Sequence, residues 1–592
     1  MCGVDAVLAL RKQKLDQNSS FVIPDAGRSG SYDKDDRRRS LTAFRGPDSN
    51  KSLLVERECF ALDMFSSVLH IQGDAICEQP CQSTASGSAF AWNGEFLNHP
   101  ASSRSDTQLI LDLLESGESP VCVLDKVEGP FSFLYYDERD ECVWFGKDKQ
   151  GRRSLLVSVF GGFEVCVSSC GLVGGVEVPA GYGIFRLGLV SGELSFREWS
   201  RPIPYLSPTY LATGSGEIDV HVLHGALQKG IQRHMTNTTR VGEGLGILFS
   251  GGLDSSIIAF IAASLFFTAS HSLTSIDLIN VASTPTAPDR LTGLASFAEL
   301  LRRFPLVPFR FILVEAAEGF SERILTLIAP NSSHMDFNIG SALWFGARAE
   351  GRLVDPLFCE SKDWEDMERR ILISESLEAA VGDRTSKFEK KKSAAPCAVC
   401  GCRKAKAGCV ACKFCCVGCS VHRKPGGVVP GMIDEATPCI SEFLTPFLSP
   451  LIKSDCRILL VGHGADELFA GYGRHARSVR EEMLLDLSRL WSRNLGRDDR
   501  VVADHARDAR HPFLDEAVVE LVGRHAPPLT SNKAVLRRLA SECLGLKLAP
   551  KFRKRAIQFG TRLAQQTNIS CFGSHSKGSG TARYMGPIVS SE

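Results

Sequence analysis

The chain predicts two folded units of different class: a β-rich α+β unit over 1–205, then an α/β unit over 206–565 built on a parallel sheet covered by helices. Up to residue 205, short apolar stretches such as AFAWNGEFL, GPFSFLYYD and FEVCVSS alternate with Gly, Asn and Asp, the spacing of strands joined by tight turns. Beyond it the texture becomes apolar strand, Gly-rich turn and helix, as in GLGILFS, SGGLDSS and IIAFIAASLFF. A length of 592 residues also asks for more than one core.

In the first unit, DTQLILDLLESG sets Leu109, Ile110, Leu113 and Leu114 at helical spacing, and GRSGSYDKDDRRRS (27–40) reads as a solvated loop. In the second, IDLINVA and CRILLVG read as further buried strands. An insertion is expected over 352–455, where KFEKKKS, a cysteine cluster and a Pro- and Gly-rich stretch break the alternation. The polar Gly/Ser-rich end, 566–592, reads as a disordered tail.

Composition narrows the function. Apolar residues make up 44% and charged residues 23%, as in ordinary globular proteins. Lys+Arg and Asp+Glu both total 68, so no overall field draws the molecule to nucleic acid or an anionic membrane. The longest apolar run, 257–267, is shorter than the roughly 18 to 20 residues of a spanning helix. MCGVDAVLAL places its apolar residues ahead of Arg11 and Lys12, the reverse of a signal peptide. A cytoplasmic protein with no membrane partner is expected, and its 21 cysteines are expected as thiols, metal ligands or catalysts.

Eight of those cysteines crowd into 397–419. The run C-x2-C-x-C-x6-C-x2-C-x2-CC-x2-C-x2-H has the close pairs of tetrahedral Zn²⁺ sites. Cys397, Cys400, Cys409, Cys412, Cys415, Cys416, Cys419 and His422 are the candidate zinc ligands, with Cys402 beside them, and a redox cluster is the rival reading. Interleaved Arg403, Lys404 and Lys406 suit RNA, the one route to nucleic acid in the chain, and suit an exposed knuckle equally.

SGGLDSS (250–256) lies between an apolar strand and an apolar helix, the setting of a phosphate cradle. Gly251 and Gly252 let the backbone approach an anion, Ser250, Ser255 and Ser256 offer hydroxyls, and Leu253 opens the helix whose first N–H groups are free. Asp254 adds a carboxylate suited to Mg²⁺. A plain helix-capping turn is the alternative.

This string resembles the pyrophosphate loop of the N-type ATP pyrophosphatases. Cys2, FRGPDS (44–49), WNGEF (92–96) and SDTQLI (105–110), ahead of that loop, resemble the ordered motifs of a class-II glutamine amidotransferase domain in the asparagine synthetase family. The resemblance implies an N-terminal nucleophile αββα glutaminase domain, then a doubly wound parallel-sheet ATP-pyrophosphatase domain carrying the Cys-rich insertion. It also implies glutamine, ATP with Mg²⁺, and aspartate as small-molecule partners, and leaves a homodimer open.

Loss of Met1 would leave Cys2 with a thiol and an α-amine whose ordinary pKa, near 8, suits a general base. The family's motif implies that Asn93 and Gly94 hold the oxyanion, that Arg45 clamps the glutamine carboxylate, and that Glu95 and Asp106 hold its ammonium. In GADE (464–467), after the strand RILLVG, Asp466 is implied as a second Mg²⁺ ligand supported by Glu467, and Lys554 as the lysine contacting ATP phosphates.

Two departures bear on the second reaction. VGHGADE stands where the family carries SGEGSDE, so His463 replaces a carboxylate, and DFNIGSA (336–342) lacks the arginine expected at an aspartate site. Intact glutaminase chemistry is expected, with an RNA-modifying pyrophosphatase-loop protein and a non-catalytic binding protein as rivals. ARHPFLDE, with His511, is expected to pack rather than react.

Overall fold

The computed structural model describes the chain apart from residues 1, 12–13, 18–22, 24, 27–32, 100–103, 173, 202, 204–216, 270–272, 383–439, 477, 526–531 and 573–592. The zinc-ligand candidates from Cys397 to His422 therefore lie outside the described residues.

The first unit is laid out as β1 (Gly3–Leu10), α1 (Asp33–Arg45), β2 (Ser49–Glu56), β3 (Phe60–Val68), β4 (Cys81–Gln82), β5 (Ala89–Gly94), α2 (Asp106–Glu115) and α3 (Pro120–Asp125). It continues with β6 (Phe131–Asp137), β7 (Cys142–Lys147), β8 (Leu156–Phe160), β9 (Glu164–Ser168), β10 (Val176–Glu177), β11 (Gly183–Gly188) and β12 (Leu194–Glu198). These strands form two six-stranded sheets, ordered β10-β8-β9-β1-β3-β2 and β12-β11-β7-β6-β5-β4. Val4, Leu8, Leu62, Leu134, Phe145 and Val157 are buried in the core between them. α1 packs on the first sheet and α2 on the second, which completes the αββα layering. Residues 33–40, expected in a loop, are the first turns of α1.

The second unit opens with α4 (Val220–Thr236), β13 (Leu245–Leu248), α5 (Leu253–Ala269), β14 (Ile276–Ala282), α6 (Pro288–Arg303), β15 (Phe309–Glu315), α7 (Ser321–Ile328) and α8 (His334–Arg348). Then come β16 (Glu350–Val354), α9 (Lys362–Gly382), β17 (Leu448–Lys453), β18 (Ile458–Leu460) and β19 (Asp508–Arg510). The sheet order is β17-β16-β15-β14-β13-β18-β19. From β15 through β19 the pairs are parallel, and β16 and β17 add an antiparallel edge. α5 is apolar on every side, and residues Ile257–Ala263 are all buried, as such a helix requires.

The chain steps outward from β13 through β14 and β15, then returns to β18 on the other side of β13. That reversal makes the carboxyl ends of β13 and β18 the switch point at which open α/β sheets hold ligands.

Two boundaries move. β16 and β17 are paired strands of the sheet and Trp364, Met367 and Ile371 lie in its core, so the flanks of the expected 352–455 insertion belong to the domain. Residues 566–572, expected in the tail, end the helix Leu563–Phe572.

Candidate functional site

Cys2 immediately precedes β1, and its backbone N–H donates to Asn93 Oδ1 at 3.1 Å. Asn93 and Gly94 end β5, whose neighbour β6 leaves Gly94 no room: a Cβ there would lie 2.5 Å from that of Phe131. Gln79, Trp92, Gly94, Glu95, Asp106 and Thr107 line the cavity around Cys2. Gln79 Nε2 donates to Cys2 Sγ at 3.6 Å and to Thr107 Oγ1 at 3.0 Å, while its Oε1 accepts from the Trp92 N–H at 2.6 Å. Asp106 opens α2 after the Ser105 N-cap and accepts from Trp92 Nε1 at 3.0 Å. Trp92 also stacks on Phe131 and so serves both the core and the pocket wall.

Burial pushes the Cys2 thiol up to about 11, Asp106 up to about 6 and Glu95 up to about 7. In each case it outweighs nearby positive charge, which for Glu95 comes first from Arg510.

Arg45 is not a wall of this cavity. Its Nε donates to the Cys2 carbonyl at 3.3 Å and its Nη2 pairs with Asp499 at 2.7 Å, with both side chains fully buried. In this structure the carboxylate it meets is Asp499, from the second unit. Among the described residues, no Lys or Arg lines the cavity.

Asp499 belongs to a charged seam between the units. It also accepts from the Ser154 N–H at 3.1 Å, and Arg153 pairs with Asp508 at 2.5 Å. Asp508 holds Arg510 Nε at 2.5 Å, and Arg510 Nη2 reaches Glu95 at 3.0 Å. Glu95 thus lines the pocket while bound to β19. The sequence reading missed Asp499, Asp508 and Arg510, although GRRS and GRDDR, charge-dense strings that end up buried, were the available signal.

The second cavity lies at the switch point. Ser250, Gly252, Leu253, Asp254 and Ser255 line it together with Lys533, Arg537 and Lys554. The loop is tied back by its carbonyls: Thr292 Oγ1 donates to Ser250 O at 2.7 Å and Ser296 Oγ to Gly251 O at 2.8 Å. Gly251 has φ +72°, and a Cβ there would lie 2.2 Å from Thr292 O, so only glycine fits. The first N–H groups of α5 have no intrahelical acceptor, and Ser256 Oγ is buried without a partner in the protein.

Lys533 Nζ lies between the two acidic candidates, 2.5 Å from Asp254 and 2.8 Å from Asp466, while Lys554 Nζ reaches Asp466 at 2.5 Å. Burial pushes Asp466 up, but the two lysines outweigh it and hold the carboxylate below its usual range. Asp254 Oδ1 is buried with no hydrogen-bond partner among the described residues. An orphaned carboxylate oxygen beside a second carboxylate is a donor set that fits Mg²⁺. Glu467 is buried and accepts from Tyr472 Oη at 2.6 Å, which braces the turn carrying Asp466. Lys533 and Arg537 were also missed; their i,i+4 spacing in NKAVLRR was the clue.

His463 lies 3.6 Å from Asp498 and stacks on His511, ring centroids 5.4 Å apart. Burial lowers its pKa, with Asp498 opposing and Arg497 adding to the effect, so the imidazole is neutral at pH 7. Asp336, in the segment that lacks the arginine expected at an aspartate site, pairs with Arg497 at 2.6 Å, and Arg497 also binds Asp498 at 2.8 Å.

Residues 67–170 match the family model of a glutamine amidotransferase domain, and 428–481 with 474–556 match that of asparagine synthase. The chain carries these two domains in that order. It is 26% identical to asparagine synthetase domain-containing protein 1 of Bos taurus, over 88% of this chain and 91% of that one. To the Homo sapiens protein of the same name the identity is 25%, over 89% and 91%. A glutamine-hydrolyzing asparagine synthetase of Triphysaria versicolor is 33% identical over 37% of each chain. The first match includes Gln79, Asn93, Glu95 and Asp106 of the Cys2 pocket, and the second includes Asp466, Lys533 and Lys554 of the cavity at the switch point. Among the described residues, no helix is long and apolar enough to cross a membrane.

Proposed function

We propose that the chain is a glutamine-dependent amidotransferase of the asparagine synthetase type, in which Cys2 releases ammonia from glutamine and the synthase domain uses ATP to adenylate a carboxylate, aspartate first, for the ammonia to attack. The observation that carries this reading is the bond from the Cys2 N–H to Asn93 at the head of a buried pocket that also holds Asp106 and Glu95.

With Met1 removed, the Cys2 α-amine takes the thiol proton and the sulfur attacks the glutamine amide carbon. Asn93 Oδ1 is committed to the Cys2 nitrogen, so its amide is oriented, and its Nδ2, with only a 3.5 Å contact to Ser132, is available to the oxyanion along with the Gly94 N–H. Asp106 and Glu95 hold the α-ammonium. Among the described residues no Lys or Arg lines the pocket, so no side-chain cation there faces the α-carboxylate.

In the second cavity the Ser250–Ser256 loop, Lys533 and Lys554 would receive the ATP phosphates. Asp254 and Asp466 would hold Mg²⁺, which supplies charge neutralisation on the pyrophosphate leaving group. His463, kept neutral, accepts a proton from the attacking ammonia, and Asp498 stabilises the imidazolium that results.

Ammonia release from glutamine by the wild type and by Cys2→Ala tests the first half, and equal rates would refute it. AMP and asparagine formation with aspartate tests the second. ATP consumption that ignores every carboxylate offered would remove it.

A further inference from the structure

The loop Cys77–Cys81 forms one wall of the Cys2 pocket, and the mechanism above uses neither of its cysteines. Cys77 lines the cavity itself. Cys81 opens β4, opposite Phe90 on β5, and its sulfur lies 3.5 Å from Gln108 Oε1 on α2. Both are half-buried, and each thiol is the strongest influence on the ionisation of the other. Between them sits Gln79, the residue that donates to Cys2 Sγ at 3.6 Å.

We propose that Cys77 and Cys81 are an oxidisable dithiol, a modification site that hydrogen peroxide converts to a disulfide and that controls the reactivity of Cys2 through Gln79. The hydrogen bond from Cys77 lowers Cys81 to about 7, with burial opposing and Lys51 assisting, while Cys77 is raised. Cys81 is therefore the more readily ionised of the two thiols and the attacking sulfur.

It displaces one peroxide oxygen, breaking the O–O bond to give a sulfenic acid and a hydroxide that leaves as water. Cys77 then gives up its proton and attacks the Cys81 sulfur, forming the S–S bond and expelling the second oxygen as water. Two thiols lose two electrons and one peroxide becomes two waters. A covalent S–S bond is far shorter than a thiol–thiol hydrogen bond, so closure draws the two ends of the loop together. Gln79 is pinned between Thr107 and the Trp92 N–H and cannot follow that movement while keeping its contact to Cys2.

The effect on Cys2 rests on the reading of Cys2 as a nucleophile; the disulfide does not, and neither measurement needs turnover. Full-length protein treated with peroxide and mapped by mass spectrometry is expected to give a Cys77–Cys81 crosslink that a thiol reductant reverses. Alkylation of Cys2 by iodoacetamide is expected to slow about tenfold, the worth of one hydrogen bond to a charged group. Cys81→Ser and Cys77→Ser should each abolish the crosslink and leave Cys2 alkylation insensitive to peroxide. A Cys2–Cys77 crosslink, or free Cys77 and Cys81 after peroxide treatment, would overturn the site even if neither variant folds. A crosslink that leaves Cys2 alkylation unchanged would overturn the coupling.

Discussion

Arg45, the last residue of one domain's first helix, is paired at 2.7 Å with Asp499 of the other domain, and neither side chain is exposed to water. A buried pair broken on one side leaves an unpaired charge at a cost of about 3–5 kcal/mol. Asp499→Ala is therefore expected to lower stability by that order and Arg45→Ala by a similar amount. Denaturant unfolding of the single and double variants reads the coupling: the double variant should lose less than the sum of the two.

Glutamine with its α-carboxylate converted to an amide should be hydrolysed with a KM within about threefold of that for glutamine, because no Lys or Arg among the described residues lines the pocket. Steady-state ammonia release from the two compounds checks this. A loss of affinity of about a hundredfold would mean a cation reaches the pocket on binding.

The pH dependence follows from burial. With the Cys2 thiol pushed up to about 11, its reaction with iodoacetamide in protein that retains Met1 should rise about tenfold per pH unit from pH 7 to 10. Asp106 and Glu95 must ionise to hold an ammonium, so glutamine affinity should improve as pH rises through about 6 to 7. The same raised carboxylates act on stability in the opposite direction. Their folded values exceed the unfolded ones, so their contribution is complete below about pH 4 and is lost as pH climbs through about 7.

Gly251→Ala places a Cβ 2.2 Å from the Thr292 carbonyl oxygen at φ +72°, a backbone region that costs an alanine about 1–2 kcal/mol before the clash is counted. ATP binding measured by calorimetry should be lost while the amidotransferase domain's ammonia release continues. Lys533→Met should lower AMP formation by about a hundredfold or more, since it removes the ammonium shared by Asp254 and Asp466.

Local pattern carried much of this architecture. Ser250–Ser256 announced its own setting because a phosphate turn, its strand and its helix are contiguous, and the switch point of the sheet lies at that turn. Asn93, Glu95 and Asp106 stand around Cys2 because their motifs end or begin elements that converge there. Arg45 is the opposite case: its partner Asp499 is 454 residues away, and no local signal says which carboxylate an arginine will meet across an interface. Lys533 was missed likewise, since its importance comes from two acids distant in sequence. The flanks of 352–455 looked foreign because edge strands lack the continuous apolar runs of central ones, and β17 is exposed along much of its length.

Glu95 answers to Arg510, so the first unit does not own all of its pocket. Severed at the linker and produced alone, it would present an acid with no counter-charge and an arginine, Arg45, stripped of its mate. Grafting that half onto another acceptor enzyme would succeed only with a recipient that brings its own equivalents of Asp499 and Arg510.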